Sequence, residues 1–207
     1  HDLSHAAEMH QARMQWVMFH SYLADNSDKL ITAGHANGFK VLISVTGDRD
    51  RAATPAYWKE YADGVASLAA HGADAIEIWP EANLSISWPQ GKISGATYTQ
   101  LLQVAYTAIK SANPKTLVIS GAPSPTGAEE SLSGQVVNDD HFLKEMAAAG
   151  AANYLDCVGL HFLSGTTSPK DTRGSTLSGY HYSYYFSSMV DTYYKAFNGA
   201  RPLCFTE

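Results

Sequence analysis

Apolar residues along this chain follow two alternating rhythms. Six short runs are almost continuously apolar: Trp16 to His20, Val41 to Val45, Ala75 to Trp79, Leu117 to Ser120, Cys157 to His161 and Leu203 to Phe205. Runs this short, closed by turn residues, read as strands covered on both faces. Between them the spacing is helical over residues 2–14, 27–37, Thr54 to about Ala70, Thr97 to Ser111, Asp139 to Ala149 and 182–197. In the fourth of these, Leu101, Leu102, Ala105, Ala108 and Ile109 form one stripe. The stops are legible. Gly38 is a suitable C-cap, Thr54-Pro55 has the order of an N-cap and a first-turn proline, and Asn113-Pro114 ends the fourth helix.

Strand–helix alternation with apolar strands predicts a parallel sheet covered by helices. A doubly wound sheet would usually carry a glycine-rich phosphate loop after its first strand. No G-x-G-x-x-G or P-loop string occurs, so the pattern favours an α/β (β/α)8 barrel of TIM type. Such barrels typically have eight strands and about 250 residues. With 207 residues and six strands, the chain is expected to be one partial barrel domain, residues 1–207, short of one strand at each end. Its open edges are expected to pair in a homodimer or swapped assembly. The composition, 45% hydrophobic and 16% charged, is that of a globular domain. A net charge of −6 without a Lys/Arg cluster argues against nucleic acid as partner. No apolar run approaches the roughly 18 residues of a membrane span. Cys157 and Cys204, the two cysteines, form no C-x-x-C motif and no disulfide framework, which leaves the redox compartment open.

Chemistry enters through two strand tips. Ile76-Glu-Ile-Trp-Pro-Glu-Ala-Asn83 and Leu203-Cys-Phe-Thr-Glu207 each deliver a carboxylate, Glu81 or Glu207, at the end where barrels carry their sites. Two such carboxylates suit glycoside hydrolysis, in which one acts as a protonated acid with a raised pKa and the other is ionised. Strand alternation predicts Leu203, Phe205 and Glu207 on one face and Cys204 and Thr206 on the other; if Glu207 faces the barrel axis, Cys204 faces the helices. His20, at the end of the first strand, is a candidate pocket residue. Trp88 and Tyr180, in loops, are candidate sugar-stacking residues, and Asn83, beside Glu81, is grouped with them. Trp79, Tyr182, Tyr184 and Tyr185 read as packing, Arg49 as a surface ion pair, and His1, His5 and Glu8 as a solvated helix end. Glu77, inside a strand, reads as structural and would need a cationic or hydrogen-bonded partner if it faced inward. Neither G-x-S-x-G nor H-E-x-x-H is present.

These strings resemble a known group. Ile76 to Leu84 resembles the Trp-Asn-Glu-Pro segment that ends the fourth strand of clan A glycoside hydrolases. Tyr98 to Gly127 is similar to the next helix, strand and loop of bacterial proteins near glycoside hydrolase family 39. Val158 to His161 resembles their sixth strand, and Arg201 to Glu207 the seventh. The resemblance implies retaining hydrolysis of a β-linked carbohydrate substrate without metal or cofactor. Glu81 would be acid/base, Glu207 nucleophile, and His161 a lining residue of the sugar site. A non-hydrolysing carbohydrate-binding barrel and a fragment completed by oligomerisation are the alternatives. Phe162 stands where many relatives have tyrosine, and Pro80 where they have an asparagine that holds the sugar 2-hydroxyl. Proline offers no donor. Losing contacts of ~2–3 kcal/mol in the transition state corresponds to a ~30- to 150-fold rate penalty. Pro80→Asn is therefore expected to raise turnover of aryl β-glycosides by up to that factor. Calorimetric sugar binding without turnover in either form would favour the binding barrel instead.

Overall fold

The computed structural model describes residues 3–164, 167–172 and 181–207. Six parallel strands are present among them: β1 (Trp16–Tyr22), β2 (Lys40–Thr46), β3 (Ala75–Ile78), β4 (Leu117–Ser120), β5 (Val158–Leu160) and β6 (Leu203–Phe205). β1 to β4 pair in chain order, and β5 pairs with β6. A bridge from Ile119 to Cys157 joins the two groups, so each strand lies beside its sequence neighbour. That order is the barrel order, without the reversal of a doubly wound sheet.

The connecting helices are α1 (Ala6–Gln11), α2 (Asp28–Ala36), α3 (Pro55–Ala70), α4 (Gly95–Ala112), α5 (Asp139–Ala148) and α6 (Phe186–Ala196). α3 starts on the anticipated proline. α4 starts earlier than expected, because the Ser94 hydroxyl accepts from the amides of Ala96 and Thr97. α1 is shorter than residues 2–14, since none of its residues is buried to hold it. Of 182–197, the first turn is a 3-10 segment, Tyr182–Tyr184.

Alternate strand residues form two layers. Val41, Ile43, Val45, Ile76, Ile78, Val118, Val158 and Leu160 are fully buried and share one core cluster with Tyr61 and Val65 of α3 and Leu101, Leu102 and Ile109 of α4. A separate inner cluster takes one residue from each strand or its bridge: Met18, Leu42, Ala75, Ile119, Cys157 and Cys204. Close strand approach requires glycine at one point, for a Cβ on Gly159 would lie 2.1 Å from the Ser120 carbonyl oxygen.

Two expectations are corrected here. Cys157 and Cys204 are joined by a disulfide, with Cα atoms 5.8 Å apart. The pairing depends on the lateral proximity of β5 and β6, which spacing alone does not reveal. Cys204 also faces the inner layer and not the helices. The alternation was carried one step too far: β6 ends at Phe205, whose ring stacks on Phe186 of α6. Glu207 lies beyond the regular strand, and its main-chain oxygen accepts from the Phe162 amide at 3.0 Å. Trp16 and Phe205, on the outer strands of this sheet, are both partly exposed beside an apolar groove of about 390 Å³.

The disulfide closes a loop of 47 residues, for which chain entropy gives about 4 kcal/mol as an upper figure. Reduction, or Cys157→Ser with Cys204→Ser, is expected to cost about 2–4 kcal/mol in urea unfolding. An unchanged midpoint after confirmed thiol release would contradict the linkage.

Candidate active site

The turn after β3 is what presents Glu81. Trp79 and Glu81 both have left-handed backbone, with φ of 55° and 57°, on either side of Pro80. Such geometry costs about 1–3 kcal/mol per non-glycine residue and persists only where the surroundings fix it. Here the Trp79 ring packs edge-on against Tyr57 and Trp88 and tilted against Tyr61. Its indole N–H donates to the Ser87 carbonyl at 2.9 Å. The backbone is pinned as well: Trp79 N–H donates to Val45, and Glu81 N–H donates to Ala122 at 2.8 Å.

His161, just past β5, is the centre of the site. It is fully buried. Its Nδ1 lies 3.3 Å from Glu81 Oε1, and its Nε2 lies 3.9 Å from Glu207 Oε1 and 3.9 Å from Glu77 Oε1. His20, on β1, reaches Glu207 Oε1 from the other side, with Nε2 at 3.3 Å. Glu81 and Glu207, far apart in sequence, thus meet on the two nitrogens of one imidazole.

The electrostatics follow from that meeting. The hydrogen bond from His161 holds the Glu81 carboxyl below its ordinary value; burial opposes it, and Ser124 and the charge of His20 add to the lowering. Burial would push His161 down, but the Glu81 bond and the charges of Glu77, Glu207 and Glu81 outweigh it and raise its pKa. A raised Glu81 was expected from the needs of an acid. The structure differs because the group beside Glu81 is an imidazole and not a second carboxylate, which lowers the Glu81 carboxyl and raises His161.

Glu77 faces inward, fully buried. Its Oε2 accepts from the Ser44 hydroxyl at 2.7 Å, and its Oε1 accepts from the Ala122 amide at 3.0 Å and the Thr206 hydroxyl at 2.9 Å. These are the partners its burial demands. Sequence reading missed Thr206 and Ser124 as site residues. The signal for Thr206 was its position beside Glu207 with a side chain able to donate; Ser124 carried none.

The other candidates divide. His20 and His161 lie at the two carboxylates. Trp88 does not: it is fully buried among Trp79 and Tyr98, with its indole N–H on the Lys92 carbonyl. Its loop folds back into the helix layer, so no sugar can stack on it. Asn83 is likewise buried and committed. Its amide donates to the carbonyls of Ser124 and Val137 and its Oδ1 accepts from the Ser124 amide, which ties the β3 and β4 loops together. Tyr180 lies outside the described residues. Phe162 packs edge-on against Phe186 of α6, and Arg49 pairs with Asp50 at the surface. A cavity of about 530 Å³ runs along the loops after β4 and β5, lined by Pro125, Thr126, Leu163, Ser164, His181 and Tyr184. None of Glu77, Glu81 and Glu207 lines it.

Known structures share this architecture. Superposition on a family 39 glycoside hydrolase from Bacteroides cellulosilyticus WH2 gives a TM-score of 0.63 at 16% identity, covering 99% of this chain and 45% of that one. A GH5-4 broad-specificity endoglucanase from Clostridium longisporum gives 0.56 at 13%, covering 98% and 65%. An endo-1,4-beta-mannanase from Rhizomucor miehei gives 0.50 at 14%, covering 75% and 60%. The fold is a partial (β/α)8 barrel, similar in architecture to these glycoside hydrolases. Identities this low carry the fold alone, and the chain spans 45–65% of the first two of these proteins. No family model and no curated protein sequence matches the chain.

The Glu81–His161 pair sets a stability window. A lowered Glu81 stabilises above its ordinary 4.5 and loses that contribution as pH falls through its folded value; a raised His161 stabilises below its ordinary 6.5 and loses it as pH rises through its folded value. Both contributions are complete between 4.5 and 6.5. The unfolding free-energy difference between wild type and Glu81→Gln should therefore peak in that interval and shrink on either side. A difference independent of pH would contradict the pairing.

Proposed function

We propose that this chain carries the catalytic centre of a retaining glycoside hydrolase that cleaves a β-linked carbohydrate by double displacement. The observation that supports it most is the convergence of Glu81 and Glu207 on His161 at the C-terminal ends of β3, β5 and β6. The architecture shared with glycoside hydrolases adds to it.

The Glu207 carboxylate attacks the anomeric carbon. Glu81 donates its proton to the glycosidic oxygen as that bond breaks, leaving a covalent glycosyl ester on Glu207. In the second step Glu81, now ionised, takes a proton from water. The hydroxide equivalent attacks the anomeric carbon and frees Glu207. Glu81 must be protonated for the first step. Sugar binding displaces water and penalises the buried charge on Glu81. The proton then moves the short distance from His161 Nδ1 to Glu81 Oε1. The mechanism calls on no metal. Endoglucanase and mannanase among the structural neighbours make β-1,4-linked glucose or mannose polymers the first substrates to test.

A 2-deoxy-2-fluoro β-glucoside or β-mannoside with an activated leaving group should label Glu207, read by peptide mass spectrometry. Glu207→Gln should abolish labelling. Labelling elsewhere, or a wild-type full-length protein that neither labels nor turns over any aryl β-glycoside, would sink the proposal.

A further inference from the structure

Glu77 is a third carboxylate at this site, and it is sealed from solvent. We propose that Glu77 is a positioning residue for both working carboxylates, setting Glu81 through Ala122 and His161 and setting Glu207 through Thr206. The inference rests on the glycosidase reading for the roles of Glu81 and Glu207; the connections themselves do not.

Each connection is short. The Ala122 amide donates to Glu77 Oε1 while the Ala122 carbonyl accepts from the Glu81 amide, so one residue links the two glutamates. His161 faces Glu77 with Nε2 and Glu81 with Nδ1. Thr206 donates its hydroxyl to Glu77 and is joined directly to Glu207. Ser44, on β2, anchors the remaining oxygen. Of the three hydrogen-bond partners the Ala122 amide can only donate, while the Ser44 and Thr206 hydroxyls donate in the arrangement seen here. Among the described residues His161 Nε2 has no hydrogen-bond partner, and it lies 3.9 Å from Glu77 Oε1.

A filling role alone does not explain a charge here. The inner cluster of Met18, Leu42, Ala75 and Ile119 shows that this face of the sheet packs apolar side chains. Replacing buried ionic groups with apolar ones is often neutral or stabilising. A carboxylate at Glu77 is therefore a device for specificity: it selects one arrangement of β2, β3, β5 and β6 tips, and it favours the protonated form of His161.

Glu77→Gln tests this with little change of shape. The amide oxygen can keep Ala122 and Thr206, and the amide nitrogen can donate to a rotated Ser44 hydroxyl. The charged groups facing His161 are Glu77, Glu81 and Glu207, with His20 beyond Glu207. The Tyr98 hydroxyl near Glu77 is committed to the Ile78 carbonyl and the Gly121 amide. The first readout is the titration of the His161 ring by nitrogen-15 NMR in the whole protein without substrate. Its midpoint should fall in Glu77→Gln and stay in Thr206→Val; an unmoved midpoint in a folded Glu77→Gln overturns the proposal.

The second readout is kcat/KM on a dinitrophenyl and a phenyl β-glycoside of the same sugar. Misplacement of a reacting group costs on the order of 10- to 100-fold. Glu77→Gln should lose that much, more on phenyl, where the poor leaving group needs the acid. Thr206→Val should lose equally on both, because it disturbs the nucleophile alone. Losses that merely follow the folded fraction, alike for both variants and both substrates, overturn the proposal. If Glu77→Gln does not fold, Thr206→Val decides: wild-type rates on the dinitrophenyl substrate refute the Glu207 arm. A wild type inert towards every glycoside, with the midpoint still lowered by Glu77→Gln, would sink the glycosidase reading and support the Glu77–His161 link. An active wild type with an unmoved midpoint would do the reverse.

Discussion

A carboxylate buried in the middle of a parallel sheet costs several kcal/mol in lost hydration unless its lone pairs are met. Glu77 is met from several directions: by Ser44 on β2, by Ala122 after β4, and by Thr206 after β6, with His161 after β5 as the facing ring. That requirement constrains the geometry of the whole C-terminal end. The strand tips cannot slide past one another without stranding a donor or an acceptor. The site is built on this frame: Glu81 and Glu77 both bond to the main chain of Ala122, and Glu207 follows Thr206.

Within that frame the charges are unequal. His161 lies within 3.9 Å of three carboxylates, which raises its pKa, and its hydrogen bond lowers that of Glu81. In the proposed hydrolysis the general acid must carry a proton when the glycosidic bond breaks, so Glu81 would have to take one up before that step. The left-handed turn through Trp79 and Glu81 is the backbone expression of the same demand. It is strained geometry at the point where a side chain must be aimed, held by an aromatic cluster that includes Tyr57, Tyr61 and Trp88. Below the polar layer, the disulfide between Cys157 and Cys204 fixes β5 against β6, the two strands that deliver His161 and Glu207.

The fold was readable where local patterns suffice. All six apolar runs are strands or strand-ending segments, and Pro55 and Gly38 mark helix ends where their backbone preferences put them. What failed had a long-range cause. Cysteine pairing depends on which strands are lateral neighbours. The orientation of Cys204 depended on where β6 stops, and counting alternation through an irregular end inverted the answer. Trp88 and Asn83 looked like loop residues free to meet a sugar, but their loop is folded into the core, where an indole and an amide are consumed in packing and hydrogen bonds.

The sequence by itself determined the strand–helix alternation, the class of sheet and the two carboxylates at strand ends, because periodicity and turn chemistry act over a few residues. Only the tertiary structure decided that Glu81 and Glu207 share one histidine and that Glu77 is buried beside that histidine, bonded to Ala122 and Thr206. Those facts depend on distances between residues brought together by parallel pairing, and the strength of a charge interaction is set by separation and burial in space, not by position in the chain.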